Sequence, residues 1–344
     1  MTAMDRRPVI LCAPVRNELH NLARILPAWS LYADHIVVAD QGSWDGTREL
    51  LASHPKVRIV ANPDTEYSEP DRIRLMLAAA REVASDAVLL FLDADETLSA
   101  NVLESIEWRS FLAAPPGTTG YFKWVWLWRS IYHYVAHGNI ASPTPMPFAF
   151  VDDGRPFDAD LVMHGPRGPG MLRPNRVFHF NDVVNLHFNL VNPDIHCKKQ
   201  NWYKLFWLKR GGRYYHINRN HSTYHGLGQA QCEPTPSPWH AAFAARGIDL
   251  ISFEYPALTW YDVEILQHMH DEGYGGLWLL DIWNQDWEHL RQLALAAGHC
   301  RIPGTRITPP PRSIRAYNDL TLGRVSARRT LRSAGRFLKR TVLP

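Results

Sequence analysis

Ala87-Val88-Leu89-Leu90-Phe91-Leu92-Asp93-Ala94-Asp95-Glu96 is an apolar run that ends abruptly in three carboxylates. Six consecutive apolar residues read as a strand buried on both faces, the usual state of a strand in a parallel sheet covered by helices. The exit of such a strand lies at the carboxyl edge of the sheet, where open α/β proteins bind their ligands. Asp93 and Asp95, one residue apart, suit a hard divalent cation that must also hold phosphate oxygens. A solvated acidic turn has the same local look, so the surrounding sequence decides.

Upstream of this run, strand and helix signals alternate. Apolar segments at 9–13, 35–39 and 57–61 predict three further strands. Between them, Asn21 caps a predicted helix through Trp29 with Leu22, Ile25, Leu26 and Trp29 on one face. Short and Ala-rich helices are predicted at 47–53 and 72–84, Asp45 standing as a cap before the first. Strand and helix in strict alternation with short links is the pattern of a parallel α/β sheet. Past residue 100 the pattern changes. A helix at 101–113 leads to 121–128, where period-two alternation puts Trp124, Trp126 and Trp128 on one face of a strand. Residues 138–176, rich in Pro, Gly and Asp, predict long loops. Helices are predicted at 193–211, 260–272 and 276–297, and four prolines stiffen 303–312.

Composition bounds the class. The chain has 344 residues, 46% of them hydrophobic and 21% charged, as expected of a folded soluble protein of one large or two domains. No apolar run approaches the roughly 18 residues needed to cross a bilayer. The apolar segment behind Arg6 and Arg7 is too short for an export signal and runs into Arg16-Asn17-Glu18. Cys12, Cys197, Cys232 and Cys300 lie far apart, which fits reduced thiols in a cytoplasm. The net charge of +3 is uneven: Arg324, Arg328, Arg329, Arg332, Arg336, Lys339 and Arg340 fall in a tail without acidic residues. Ala327, Leu331, Ala334, Leu338 and Val342 would form a narrow apolar stripe on a helix there. Such a basic amphipathic tail predicts a cytoplasmic protein that attaches peripherally to an anionic membrane face. With the basic residues confined to one end and an acidic cleft, nucleic acid is not an expected partner.

Four segments fall at the carboxyl ends of the predicted strands or open a helix beside them. They are Pro14-Val15-Arg16-Asn17-Glu18, Asp40-Gln41-Gly42-Ser43-Trp44-Asp45-Gly46-Thr47, the helix start with Arg72 and Arg74, and Asp93-Ala94-Asp95-Glu96. In this order they resemble the family-2 glycosyltransferases of the GT-A fold, strongly over residues 8–100 and weakly to about 210. The variant Asp-Ala-Asp-Glu is similar to a branch associated with bacterial surface polysaccharide. The resemblance implies a Rossmann-like, mixed and mainly parallel sheet flanked by helices, with a helical C-terminal extension. Together with the helix signals and the charge of the tail, it divides the chain into a GT-A domain at 1–233 (a nucleotide-binding half at 1–100, an acceptor-side half at 101–233), a helical region at 234–312 and the basic tail at 313–344. It further implies metal-dependent, inverting sugar transfer from a nucleotide-diphosphate sugar to a glycan or lipid-linked acceptor. Mn²⁺ or Mg²⁺ would sit on Asp95 with Asp93 beside it. Pro14, Asn17, Glu18 and Asp40 would wall the nucleotide pocket, and Arg74, with Arg72 as second choice, would reach the base or diphosphate.

This chain also departs from the pattern. Arg16 stands where the family often has an aromatic residue. In related branches a His-Glu pair follows an Arg-x-Phe strand; here Arg176-Val177-Phe178 leads to His187 without the Glu. His187 is therefore either a third metal ligand or a satisfied pocket histidine. For the base that takes the acceptor proton, Asp153, Asp182 and Glu96 stand open, with Asp152 and Asp160 behind them. Two rival readings remain. A sugar nucleotidyltransferase would need a Gly-rich basic loop after the first strand, and Pro14–Glu18 is not one. A non-catalytic sugar- or nucleotide-binding module would not need the acidic cluster.

Overall fold

The structure, a computed structural model, describes residues 6–62, 66–137, 143–161, 163, 165–221 and 231–322. It forms two compact units. One comprises Met1–Pro193 and Gln229–Tyr255, the other Asp194–Gly228 and Pro256–Pro344.

The first unit is built on a mixed sheet flanked by helices. Strands β1 (Val9–Val15), β2 (His35–Asp40), β3 (Val57–Ala61) and β4 (Val88–Phe91) run parallel in the order β3-β2-β1-β4. Their residues alternate between two cores, as period two requires. Val9, Leu11, Ile36, Val38 and Leu90 pack with Leu22, Ile25 and Trp29 of α1 (Leu19–Tyr32) and Leu51 of α2 (Thr47–Ala52). Ile10, Cys12, Val37, Leu89 and Phe91 pack with Ile73, Met76, Leu77 and Ala80 of α3 (Glu69–Val83). The connections from β1 to β3 thus cover one face, and the return to β4 covers the other. That reversal puts a topological switch point between β1 and β4, and the crevice at their carboxyl ends is where such sheets take ligands.

The sheet continues with β5 (Glu96–Leu98), β6 (Thr118–Trp128), β7 (His133–His137), β8 (Thr144–Val151), β9 (Arg176–Leu190) and β10 (Gln231–Pro234). β8 lies antiparallel between β4 and β6; β9 runs parallel to β6 and antiparallel to β5. The expected long loop at 138–176 therefore contains a strand. Pro145 and Pro147 of β8 pair only with β6, beyond the point where β4 ends, so no ladder bond is lost on the other side. Along β6, Trp124, Trp126 and Trp128 are half-buried and alternate with buried Val125 and Leu127, as predicted. The predicted helix at 101–113 is broken into a 3-10 turn, Ala100–Leu103, and α4 (Ile106–Leu112), which Ser105 caps by accepting from the Trp108 N–H at 3.1 Å. Asn21 lies inside α1, where its amide donates to Glu18 at 2.7 Å, and is not the cap.

The second unit is helical, with helices Trp260–Glu272, Trp287–Ala296 and Arg312–Thr321 following Pro193–Lys209 and Tyr214–Asn220. Thr259 and Asp262 form a capping box, and Asp262 also accepts from buried Lys198 at 2.6 Å. Of the predicted helix at 276–297 only Trp287–Ala296 is regular, started by Asp286 accepting from the His289 N–H at 3.0 Å. The basic stripe at 324–344 lies outside the described residues. Among the described residues no helix is long and apolar enough to cross a membrane. No disulfide joins any two of the four cysteines, and Cys12 and Cys197 are buried.

Candidate functional site

The loops after β1 and β2 are knitted together by the residues that the motifs supplied. Asn17 adopts a left-handed conformation (φ 52°); its N–H donates to Ser43 Oγ at 2.8 Å and its side-chain oxygen accepts from the Trp44 N–H at 2.7 Å. Thr47 Oγ1 accepts from the Glu18 N–H at 3.0 Å, and Asp45 accepts from Leu19 N and Thr47 N. Asp45 is thus a loop residue; the cap of α2 itself is Gly46 (φ 98°), a backbone conformation that favours glycine. Asp40, buried at the end of β2, turns its own loop by accepting from the Ser43 N–H at 3.2 Å, with Arg48 Nε 3.4 Å away. Pro14, within β1, stands opposite Ala39 of β2.

At the exit of β4, Arg167 enters the acidic cluster. Its guanidinium lies 2.9 Å from Asp93 and donates to Glu96 at 2.6 and 3.1 Å. Two glycines let its loop come this close: a Cβ on Gly168 would lie 2.5 Å from the Phe91 ring, and one on Gly170 2.5 Å from Phe150. Fully buried Glu96 also accepts from Trp124 Nε1 at 2.8 Å and from the Asp93 N–H at 3.0 Å. These bonds fill the roughly four acceptor sites of a carboxylate. Burial works against the Arg167 charge, yet Asp93 and Glu96 outweigh it and hold the guanidinium protonated.

Asp95 faces differently. His187, directly across from Glu96 on β9, holds its Nε2 3.3 Å from Asp95 Oδ2. Trp124 stacks on the His187 ring (centroids 4.9 Å, 18°) and Trp126 meets it edge-on at 5.0 Å. Both ring nitrogens of His187 are buried and make no hydrogen bond among the described residues, and the same holds for the amide of nearby Asn185. An orphaned imidazole nitrogen beside a carboxylate fits a divalent cation. No group of three His, Cys, Asp or Glu side chains is arranged for a metal among the described residues. Two protein ligands suffice for an ion that completes its shell with diphosphate oxygens and water.

Tyr255, which the sequence pattern did not single out, reaches the same place. Burial, with the Asp95 and Glu18 carboxylates nearby, pushes its phenol up. The ring packs 5.8 Å from Phe253 and 5.5 Å from His20, whose Nε2 lies 3.7 Å from Glu18.

The remaining candidates go elsewhere. Arg72 stacks on Tyr67 at 4.3 Å; burial opposes its charge, but Tyr67, Glu69 and Asp93 outweigh it. Arg74 is half-exposed and tied to Asp71 at 2.8 Å, the Ala159 carbonyl at 2.9 Å and Asp160 at 3.3 Å. Of Arg72 and Arg74, it is Arg72 whose charge Asp93 supports, while Arg167 makes the direct contact. Asp152 and Asp153 lie at the other end of β4, because β8 runs antiparallel to it and Asp152 N donates to the Ala87 carbonyl. Asp152 is clasped by Arg81 at 2.7 and 2.9 Å. Asp153 is paired with Arg155, which, against the cost of burial, keeps its carboxyl below the usual range. Asp182 accepts from Ser105 Oγ at 3.1 Å beside α4; burial and a hydrogen bond shared with Glu107 push its carboxyl up. The structure brings Glu96 alone of the three base candidates to the acidic exit, and there its acceptor sites are filled.

The architecture is a mixed, mainly parallel α/β sheet of Rossmann-like type with acidic residues at its switch-point crevice. Residues 11–106 match the family model described as glycosyl transferase family 2, and over that stretch the chain resembles these GT-A enzymes. No curated protein matches the chain significantly. Among solved structures it is similar to a 4-diphosphocytidyl-2C-methyl-D-erythritol synthase (19% identity, 26% of this chain and 47% of that one, TM-score 0.23). It is also similar to HddC from Yersinia pseudotuberculosis (10%, 55% and 96%, 0.31) and to a mannose-1-phosphate geranyltransferase from Thermus thermophilus (16%, 44% and 51%, 0.25). The chain spans about half the length of the first and third of these. Likenesses this distant say nothing of its reaction.

Proposed function

We propose that the chain is a metal-dependent, inverting glycosyltransferase that moves a sugar from a nucleotide-diphosphate sugar to a glycan or lipid-linked acceptor in surface-polysaccharide assembly. The observation that carries this reading is the Asp95–His187 pair, whose imidazole nitrogens are buried without a hydrogen bond among the described residues, at the carboxyl end of β4 next to the Asn17 and Asp40 loops. In the transfer, the acceptor oxygen bonds the anomeric carbon as that carbon's bond to the diphosphate oxygen breaks, and the acceptor proton passes to water. Asp95 and His187 would hold Mn²⁺ or Mg²⁺, which neutralises the charge gathering on the departing diphosphate. Asp93 keeps Arg167 in place, and Arg72 adds positive charge beside it. The Asn17–Ser43 and Asp40–Ser43 bonds stiffen the loops that would wall the nucleotide. The basic tail at 324–344 would bring the enzyme to a membrane carrying its acceptor.

The test is release of nucleoside diphosphate from a panel of UDP-, GDP- and dTDP-sugars with Mn²⁺. Asp95→Asn should lower the rate at least about a hundredfold, the scale of one lost electrostatic group, with the fold intact. Full activity in a folded Asp95→Asn protein would overturn the assignment.

A further inference from the structure

Residues 249–255 belong to the sheet-bearing unit although they lie far beyond the stretch that matches the family model. Asp249 anchors their start to α1, 3.5 Å from Arg24, and Phe253 packs against Phe188 of β9 at 5.3 Å. The segment ends in Tyr255, whose ring is fixed between Phe253 and His20. Its hydroxyl oxygen is buried and makes no hydrogen bond among the described residues. Its ring neighbours tie it to the loops after β1 and β4: His20 Nε2 lies 3.7 Å from Glu18, which follows β1, and Phe253 packs on Phe188, whose N–H donates at 2.8 Å to the carbonyl of Asp95, which follows β4. A phenol O–H is a directional donor. Neither carboxylate takes its bond.

We propose that the Tyr255 hydroxyl donates a hydrogen bond to a β-phosphate oxygen of the nucleoside diphosphate bound in the β1–β4 crevice. The proposal rests on the glycosyltransferase reading, because two carboxylates admit a phosphate only with a cation between them. It adds that residues from the far side of the chain complete the nucleotide pocket. An acceptor hydroxyl or a ribose oxygen would satisfy the same O–H, and the arms of the test separate these from phosphate.

The test is calorimetric titration of the full chain with UDP, GDP, ADP, CDP and dTDP, and with the matching monophosphates, each with Mn²⁺. Tyr255→Phe keeps the ring and removes an O–H that bonds nothing in the free protein, so its Tm without nucleotide should equal the wild-type value or exceed it slightly. Whichever diphosphate the wild type binds should lose about tenfold in affinity, while the monophosphate changes little. Tyr255→Met, which also lacks the hydroxyl, should repeat the loss if the Phe variant proves unstable. Equal diphosphate affinity in a folded variant would overturn the proposal and leave the broader reading standing. An equal loss for mono- and diphosphate would move the hydroxyl to the α-phosphate, ribose or base and overturn it too. If the wild type binds no nucleotide in Mn²⁺, the reading of the site fails, and this proposal with it.

Discussion

One guanidinium sorts the three carboxylates at the end of β4. Glu96, fully buried and bonded on all sides, is a strut that holds Arg167 and Trp124 in place. Asp93 shares Arg167, and Asp95 alone looks across to His187. Removing one partner of a buried ion pair leaves the other charged and uncompensated, at a cost of about 3 kcal/mol. Arg167→Met should therefore lower stability by about that amount in urea denaturation. Adding Glu96→Gln should recover part of the loss, because the stranded charge is then gone. A double variant as unstable as the two single losses added together would mean that the pair is not coupled. Asp93, Asp95 and Asn17 were legible in the sequence because each follows directly on a strand whose end is marked. Arg167 and Tyr255 were not. Each reaches the crevice from a segment without periodicity, by a contact that only the folded chain makes, such as Gly168 against the Phe91 ring.

Among the elements, the parallel strands β1, β2 and β4 were predictable because their apolar runs are buried on both faces, the half-buried edge strand β3 because it keeps an apolar run, and helices α1 and α3 because each buries one apolar stripe. β8 was hidden by Pro145 and Pro147, which a strand tolerates only where a neighbour has ended. Missing β8 had a consequence for the site. Its antiparallel course carries Asp152 and Asp153 to the amino end of β4, away from the carboxylates at the other end. Asp152 there serves as a clasp, buried and held by Arg81 of α3 through two bonds. Asp152→Asn should cost about 2 kcal/mol, since Arg81 remains partly solvated, and should leave nucleotide affinity unchanged in calorimetry. Intact stability combined with lost nucleotide binding would show that this end of the sheet takes part in the site.

At the scale of the whole molecule, the two units interleave along the chain: residues 231–255 belong with the sheet, while 194–221 belong with the C-terminal helices. A reading that moves from one end to the other cannot see such interleaving, because no local signal marks it. The tail is a separate matter of charge. Seven basic residues within 324–344, each adding roughly 1 kcal/mol near an anionic surface, should let the full chain sediment with anionic liposomes at low salt. Removing 324–344 should abolish sedimentation and spare nucleotide binding; an intact protein that ignores such liposomes would exclude the membrane role. The central claim is that the β1–β4 crevice binds a nucleoside diphosphate together with a divalent cation. Its most direct test is the Tm of the wild-type chain and of Asp95→Asn with UDP, GDP, ADP, CDP and dTDP, each with Mn²⁺ or with EDTA. A ligand at a hundred times its Kd stabilises by about 2.7 kcal/mol, so at least one diphosphate should raise the wild-type Tm by several degrees, in Mn²⁺ only. The same nucleotide should leave Asp95→Asn unmoved. No shift with any diphosphate, or an equal shift in EDTA and in Asp95→Asn, would contradict the account.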